Sequence, residues 1–162
     1  MTREKDRLLL TELMKDSRQK IIKLAKNCHM TRQSVYSKIN EYRRRGIKFS
    51  IDVNPEDLEM KLKVYILIVA EPQSKFREEA DNVLRTFKEV SQVHHILGRF
   101  DIIVEAILRN REELTKLLKK IQSLPAVKKT ETFIVYETVK LNPKEPLIEG
   151  LSKTSDSTEE NF

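Results

Sequence analysis

Side chains suited to hydrogen bonding with flat polar edges and with oxyanions are concentrated between Thr31 and Arg45, in TRQSVYSKINEYRRR. Arg and Gln pair bidentately with the edges of guanine and adenine, whereas hydroxyl and cationic groups hold phosphate oxygens. The apolar side chains of this stretch must turn inward, which leaves four candidates to reach base edges: Arg32, Gln33, Tyr36 and Asn40. The predicted phosphate contacts are Thr31, Ser34, Lys38, Arg43, Arg44 and Arg45.

A second stretch of interest is Gly98-Arg99-Phe100-Asp101, which lies between two apolar runs. A glycine between two strand-like segments predicts a hairpin turn. The residue types alone leave open whether this stretch is only a turn or also a place where a ligand binds.

Three short helices are predicted to position the first set of side chains. Apolar residues recur at helical spacing in three segments, residues 6–18, 20–28 and 31–46. Thr31 is a good N-cap for the third helix, and Gly46 stands where a left-handed residue ends it. A turn at residues 28–30, in which His29 replaces the usual glycine, predicts a helix-turn-helix. A three-helix bundle with a solvated basic face is the alternative.

The rest of the chain alternates between strand and helix periodicity in the order β-α-β-β-α-β. The predicted elements are residues 62–71, 76–87, 91–97, 101–108, 111–124 and 127–141. This order is that of the ferredoxin-like fold, a four-stranded antiparallel sheet with both helices on one side. The first and third strands are apolar on both faces, unlike the strands of a half-solvated sheet. We therefore expect a second subunit to cover the open face and the chain to form a homodimer.

The predicted fold class is α+β, with two small domains. A three-helix, winged-type helix-turn-helix domain is expected over residues 1–46 and the ferredoxin-like βαββαβ domain over residues 61–141. A linker with strand character is expected to join them at residues 47–60, where Asn54-Pro55 marks a turn. Residues 142–162 are predicted to be a disordered polar tail.

The net positive charge of the chain comes from its first third. Residues 1–50 carry 14 Lys and Arg against 5 Asp and Glu, whereas residues 51–162 carry 17 against 20. The resulting net charge of +9 on the first segment attracts polyanions, of which nucleic acid is the commonest. Double-stranded DNA is therefore the expected partner of the helical domain.

Other kinds of site find little support in the residue types. The adjacent His94 and His95 point to opposite faces of a strand, so one chain cannot chelate a metal ion through both. The sequence has no phosphate-binding Gly-rich loop and no nucleophile elbow, which argues against an enzyme and against a bound cofactor. No apolar run approaches the length that crosses a bilayer, and a single cysteine, Cys28, suits a reducing compartment. We expect a cytoplasmic protein without a membrane partner, with Cys28 as a small buried hydrophobe.

The chain resembles the Lrp/AsnC, or feast/famine, family of transcriptional regulators over about residues 3–141. The N-terminal pattern of that family is matched by Asp6, Leu9, Leu10, Leu13, Arg18, Leu24, Ala25, Thr31, Val35 and Gly46. Its C-terminal pattern, a Gly-x-aromatic-Asp element followed by an apolar strand, is matched by GRFDIIVEA. The pattern of its last strand is matched by Val127, Thr130, Thr132, Ile134 and Val135. The positions that depart from the family are Gln19, Tyr42 and Glu59, together with a second helix that lacks the usual Ser or Thr at its start.

This resemblance implies an N-terminal DNA-reading domain and a C-terminal ligand-sensing and oligomerising domain, the RAM domain. It also implies dimers that assemble further, up to an octamer, and small amino acids as effectors bound between dimers. Carried over to this sequence, the effector-binding residues are Gly98, Arg99, Phe100 and Asp101, with Thr130 and Thr132 as additions. In such a site Asp101 would pair with an ammonium group and Arg99 with a carboxylate.

The expected function is that of a sequence-specific DNA-binding transcriptional regulator. A small effector such as an amino acid would modulate its assembly or its affinity for DNA. Two other functions remain open on the sequence. One is an architectural DNA-binding protein with little sequence preference and no ligand, and the other is a ferredoxin-like enzyme with an appended helical domain.

Overall fold

The computed structural model describes residues 3–71 and 74–153. They form two compact units, of which one contains the residues up to Asp52 and those from Lys140 onward. The other unit is Val53–Val139. The chain therefore leaves the first unit, builds the second and returns to the first.

Four helices belong to the first unit, which we call the helical unit. They are α1 (Arg3–Lys15), α2 (Ile21–Asn27), α3 (Arg32–Arg44) and, after the second unit, α6 (Glu145–Lys153). The inward stripes of the first three make a core of Leu9, Leu13, Leu24, Ala25, Cys28, Val35 and Tyr42. Burial raises the pKa of the Cys28 thiol, so this cysteine packs as a hydrophobe rather than reacting as a thiolate. The prediction of three helices around one small core is confirmed.

The hydroxyl of Tyr42 joins α3 to the start of α1. It donates to the Asp6 carboxylate at 2.6 Å and lies 3.0 Å from the Asp6 backbone oxygen. Burial, and after it the hydrogen bond to Asp6, raises the pKa of the Tyr42 phenol. The ammonium group of Lys38 lies 3.4 Å from the same carboxylate. One acidic side chain of α1 therefore holds two side chains of α3, which accounts for the tyrosine where the family pattern has a leucine.

A four-stranded antiparallel sheet forms the second unit. Its strands are β1 (Leu62–Ala70), β2 (Val90–His95), β3 (Ile102–Leu108) and β4 (Val127–Ile134), in the spatial order β2-β3-β1-β4. Helix α4 (Ser74–Leu84) follows β1, and helix α5 (Arg111–Gln122) follows β3. The predicted ferredoxin-like order of elements is confirmed.

The helices cover one face of this sheet. Val64, Ile66 and Ile68 of β1 point to that face and are 0% exposed. The other main members of this core are Leu84, Ile102, Val104, Ala106, Leu108, Leu117 and Ile121. Leu67 and Ile103 point to the opposite face and are only partly buried. We call that second face, which carries apolar residues on both inner strands, the open face.

The linker between the two units is not a strand, and the prediction of strand character over residues 47–60 is wrong. A short 3-10 turn, Pro55–Leu58, follows Asn54, whose side chain accepts a hydrogen bond from the Glu56 backbone N–H. Ile51 and Val53 are exposed. An extended segment becomes a strand only when its backbone groups meet those of another strand, and the described residues pair none with this one. For the same reason, the winged form expected for the helical unit is absent from its described residues.

The last strand is shorter than predicted, because β4 ends at Ile134 rather than at residue 141. Ile134 is opposite Val64, near the beginning of β1. The Lys63 backbone oxygen accepts one more hydrogen bond from the Val135 N–H at 2.9 Å. Beyond this point β1 has ended, so the following residues have no neighbour in this sheet with which to pair.

The prediction of a disordered tail from residue 142 is wrong for Glu145–Lys153, which form α6. The Asn142 side chain accepts a hydrogen bond from the Glu145 N–H and so caps the first turn. Ile148 and Leu151 are the partly buried apolar residues of this helix, which contacts α1. The sequence analysis treated this short amphipathic stripe as part of the polar tail. The rest of that predicted tail, residues 154–162, lies outside the described residues.

Replacing Tyr42 by Phe removes the hydrogen bond to Asp6 while keeping the buried ring. We expect the free energy of unfolding of the helical unit to fall by about 1.5–3 kcal/mol, as for other hydrogen bonds to charged groups. The matched control is Tyr36→Phe, which removes an exposed hydroxyl from the same helix and should cost less than about 0.5 kcal/mol. Urea unfolding followed by circular dichroism measures both. An equal effect of the two changes would contradict the role of Tyr42 as an anchor.

Candidate DNA-binding helix and effector loop

Helix α3 has well-defined ends that orient its side chains. Thr31 Oγ1 accepts a hydrogen bond from the Ser34 N–H at 3.1 Å. Gly46 has a φ of 83° just beyond the helix, and His29 has a φ of 51° in the turn between α2 and α3. The predicted cap, the terminal glycine and the left-handed histidine are all confirmed. Val35 and Tyr42 point into the core, so the opposite side of the helix must face outward.

The outward side of α3 carries two rows of polar residues at helical spacing. Gln33, Asn40 and Arg44 belong to one row, and Arg32, Tyr36 and Arg43 to the next. The members that are exposed are Arg32, Gln33, Tyr36, Arg43 and Arg44, and Asn40 is partly buried. Tyr36 is 59% exposed although it is aromatic. A large side chain left in solvent beside arginines is typical of a surface that meets a partner.

Ser37 shares this surface, and the sequence analysis missed it. It is exposed, and it lies four residues after Gln33 and three before Asn40, which places all three in one row. That spacing was the signal that could have identified it.

Lys38 does not share this surface, contrary to its prediction as a phosphate contact. It lies three residues after Val35 and four before Tyr42, which turns it toward α1. Its ammonium group lies 2.8 Å from the Glu41 carboxylate and 3.4 Å from that of Asp6. The hydrogen bond to Glu41, followed by the influence of Asp6, raises the pKa of Lys38. We therefore assign Lys38 to the packing of α3 on α1 and not to the outward surface.

The other predicted phosphate contacts have neighbours of their own. The hydroxyls of Thr31 and Ser34 are 2.8 Å apart, within the N-terminal cap. The Arg43 guanidinium lies 5.4 Å from the centre of the Phe49 ring. Arg45 lies 3.8 Å from the Glu41 carboxylate and is largely exposed. Arg43 and Arg45 thus remain accessible cations at the end of α3.

The loop between β2 and β3 is a hairpin turn, as predicted. The Ile96 N–H donates to the Asp101 backbone oxygen at 2.9 Å and closes the loop. Gly98 has a φ of 144°, a conformation that a residue with a Cβ rarely adopts. The Arg99 guanidinium lies 5.3 Å from the centre of the Phe100 ring. A cation stacked on an aromatic ring is therefore presented beside a flexible backbone position.

Asp101 fastens this loop to the end of the central strand. Its carboxylate Oδ2 accepts a hydrogen bond from the Ala70 N–H at 2.9 Å, and its own N–H donates to the Ile68 oxygen at 2.9 Å. The side chain therefore extends the pairing of β1 with β3 by one bond. This contact was not visible in the sequence, where Asp101 was considered only as a partner for an ammonium group.

Thr130 and Thr132 lie on β4, which pairs with β1 on the side opposite to β3. They pair with Ile68 and Ile66 and thus point to the face that the helices cover. Thr130 Oγ1 accepts a hydrogen bond from the Gln122 side chain at 2.9 Å. Because β1 lies between them, Thr130 and the Asp101 loop are about two strand spacings, or ~10 Å, apart. The structure brings the two predicted parts to one end of the sheet without bringing them into contact.

The two adjacent histidines point to opposite faces and have separate neighbours. His94 lies 2.9 Å from the Gln92 side chain, and His95 lies 2.9 Å from the Asp81 carboxylate of α4. Within residues 3–71 and 74–153, no three His, Cys, Asp or Glu side chains are grouped so that they could hold a metal ion. In the same residues, none of the helices combines the length and the apolar character needed to cross a membrane.

Comparison with known proteins adds three findings. Residues 63–145 match the family model of the Lrp/AsnC ligand binding domain. An HTH-type transcriptional regulator of Pyrococcus horikoshii is 34% identical over 137 residues, which is 83% of this chain and 91% of that protein. The HTH-type transcriptional regulator FL11 of Pyrococcus abyssi is 31% identical over 146 residues, 89% of this chain and 95% of that protein.

Solved structures share the fold of this chain. Escherichia coli AsnC is 25% identical and superposes with a TM-score of 0.77, covering 88% of this chain and 97% of that one. A transcriptional regulator of Neisseria meningitidis, solved as a complex with L-methionine, is 17% identical and has a TM-score of 0.80 over 91% of this chain and 99% of that one. At 17% identity the second likeness concerns the fold alone. From the family match, the two Pyrococcus relatives and the capped helix-turn-helix, we conclude that this chain belongs to the Lrp/AsnC family of HTH-type transcriptional regulators.

Proposed function

We propose that this regulator binds specific DNA sites through α3 and that a small effector, an amino acid, modulates its assembly or its DNA affinity. The observation that carries the proposal is the outward side of α3, where exposed Arg and Gln side chains follow a fixed N-terminal cap. In this proposal residues 1–46 read DNA, and residues 61–141 sense the effector and form the oligomer. No catalytic activity is proposed, and the relatives described above are regulators.

The division of work on α3 follows from which side chains are accessible. Arg32 and Gln33 stand at the N-terminal end of the helix, which is the end that reaches base edges when a recognition helix enters the major groove. Tyr36, Ser37 and Asn40 continue this surface. The exposed cations at the other end, Arg43, Arg44 and Arg45, are suited to phosphate contacts. Two such helices in a dimer would read an inverted repeat.

Replacing Arg32 and Gln33 together by Ala should reduce the preference for the operator over scrambled DNA by roughly tenfold or more, because each bidentate pair contributes about 1–3 kcal/mol of discrimination. Arg43→Ala should instead weaken binding to both DNAs about equally and lower the slope of log affinity against log salt by about 1. Fluorescence anisotropy at several salt concentrations measures these effects.

The control for charge is Arg111→Ala, which removes an exposed arginine from α5. It should change neither the preference nor the salt slope. If the unchanged protein already binds operator and scrambled DNA equally, it is an architectural DNA-binding protein and the proposal of specific reading fails.

The effector proposal concerns Gly98, Arg99, Phe100 and Asp101, with Thr130 and Thr132 nearby. The Arg99 guanidinium is suited to an effector carboxylate. The Asp101 carboxylate already accepts the Ala70 N–H, so its main contribution is to hold the loop in place. The support from relatives is the L-methionine complex of the Neisseria meningitidis regulator. We propose that the effector binds between two dimers, so that a second copy of this chain completes the site.

A thermal-shift screen of the twenty amino acids tests the effector. At a hundredfold excess over Kd, one bound ligand adds about 2.7 kcal/mol of stability, which raises Tm measurably. Arg99→Ala should abolish the shift without lowering Tm in the absence of ligand. Asp101→Asn keeps an oxygen for the Ala70 N–H but removes the charge, so it should retain the shift if Asp101 only holds the loop. If no amino acid raises Tm of the unchanged protein, the effector proposal fails.

The open face of the sheet is the proposed dimer surface, and further assembly of dimers up to an octamer would use other surfaces. Tyr65, Leu67 and Val69 of β1 and Ile103 and Ile107 of β3 supply the apolar side chains of this face. An apolar sheet face in contact with water is unusual for a monomer. Most soluble oligomers are symmetric homodimers in which both copies use the same surface, and a second copy is the occupant that we propose.

Leu67→Asp places a carboxylate in the middle of the open face. We expect the dimer to dissociate, because covering the face would bury an unpaired charge. Sedimentation velocity across micromolar concentrations measures the change. The control is Leu147→Asp, which alters a leucine that is 61% exposed on α6 and should leave the dimer intact. A wild-type chain that sediments as a monomer under these conditions would refute the proposed surface.

A further inference from the structure

A group of polar side chains interrupts the apolar open face. Glu105 of β3 accepts hydrogen bonds at Oε2 from the Tyr65 hydroxyl and from the Lys63 ammonium group, each at 2.8 Å. Its Oε1 accepts a hydrogen bond from the Ser91 hydroxyl of β2 at 2.7 Å. The Lys63 ammonium also lies 5.5 Å from the centre of the Tyr65 ring. We call Lys63, Tyr65, Ser91 and Glu105 the polar cluster.

The polar cluster compensates its charges within one chain. The Glu105 side chain is only 11% exposed, although it lies on the face away from the helices. Burial by itself raises the pKa of Glu105, but the hydrogen bonds from Lys63, Ser91 and Tyr65 outweigh it, and the pKa lies below its ordinary value. The cluster thus holds a carboxylate and an ammonium group whose charges cancel. Such a pair can be covered by a partner at lower cost than an isolated charge.

The polar cluster occupies the middle of the open face. Tyr65 and Glu105 are directly opposite each other in the β1–β3 ladder, and β1 and β3 are the two inner strands. Glu105 is the middle residue of β3. A two-fold axis that lies in the plane between two such faces and passes over their centres brings the same central residues of two copies opposite each other. The polar cluster of one copy would then lie against the polar cluster of the other copy.

A second copy is the partner whose chemistry fits this arrangement. An ammonium group has three donors, and Lys63 directs them at Glu105 and at the Tyr65 side chain, so at least one is left for another partner. A partner with an apolar centre would exclude water and leave the remaining donors unpaired, which is costly. The cluster of a second copy offers carboxylate and phenol oxygens at the matching place, and each cluster is electrically neutral.

We propose that the polar cluster is the centre of a two-fold interface between two copies of this chain, in which each Lys63 ammonium group bonds to oxygens of the other copy's cluster. The inference rests on the proposed dimer of open faces. It adds the residues that make this contact selective for a second copy, because a partner of different polarity leaves charged groups unpaired in a dry interface.

Lys63→Met tests the cluster, because it removes the charge and keeps most of the side-chain stem. The two Glu105 carboxylates would then face each other without counter-ions, and we expect the dimer Kd to rise roughly 30-fold or more. The double change Lys63→Met with Glu105→Gln removes both charges and should restore Kd to within about threefold of the unchanged protein. The matched control is Lys120→Met. Lys120 lies on α5, a helix of the covered face, and the change breaks its ion pair with Glu89. It should leave Kd within about twofold.

Kd is measured by sedimentation, and the rate of subunit exchange between differently labelled copies provides a second measurement that needs no stable monomer. If Lys63→Met has no more effect on Kd or exchange than Lys120→Met, the cluster is not at the interface and the inference is wrong, while dissociation by Leu67→Asp would still support the dimer of open faces. If the double change does not restore Kd, the proposed charge pairing is wrong.

If Lys63→Met lowers Tm as much in the Leu67→Asp monomer as in the dimer, the cluster only stabilises the single chain, which also overturns the inference. A dimer that resists Leu67→Asp overturns both proposals together.

Should Glu105→Gln fail to fold, Tyr65→Phe replaces it. This change removes one hydrogen bond from Glu105 and should accelerate subunit exchange several-fold. Tyr136→Phe is its control, because Tyr136 is 99% exposed in the segment after β4. Equal exchange rates for these two variants would contradict the inference.

Discussion

The central strand β1 carries apolar side chains on both of its faces, and both need to be removed from water. The helices bury the β1 side chains of one face, as the 0% exposure of Val64, Ile66 and Ile68 shows. Tyr65, Leu67 and Val69 point the other way and are only partly buried within one chain. A four-stranded sheet with two helices has enough material to cover one face. The packing of one chain therefore leaves the second face of β1 to be covered by a partner, as in the dimer that we propose.

The end of β1 also determines where the loop of residues 98–101 lies. The backbone of Ile68 and Ala70 provides the two groups to which Asp101 is bonded. Gly98 supplies the left-handed turn, and Arg99 is held beside Phe100. The loop is thus positioned by the same strand whose outward face we propose to be the dimer surface. In the function proposed above, an effector that shifts this loop would act on β1 and through it on the proposed dimer surface.

In the helical unit the orientation of α3 depends on Asp6. This carboxylate accepts the Tyr42 hydroxyl and lies close to the Lys38 ammonium group, so α3 is fixed in rotation as well as in position. Rotation matters because Arg32 and Gln33 must point outward together. The same contacts hold the Lys38 ammonium group beside the carboxylates of Asp6 and Glu41. A polar anchor at the edge of a small core is a common way to give two helices a unique packing.

The sequence alone determined the elements whose cause is local. The cap at Thr31, the left-handed residues His29 and Gly46, the inward stripes of the helices and the order of strands and helices all follow from spacing and residue type within a few positions. The sequence did not show that Lys38 differs from the other cations of α3 in facing α1, because its partner Asp6 is distant in the chain. It also assigned strand character to the linker and extended β4 too far, because propensity does not reveal whether a neighbouring strand is present. The overlooked helix α6 shows the reverse, since a stripe of Ile148 and Leu151 becomes a stable helix once α1 provides a surface. Only the tertiary structure decided that Asp101 fastens a loop and that Glu105 is compensated by Lys63, Tyr65 and Ser91, because hydrogen bonds between strands join residues that the sequence keeps tens of positions apart.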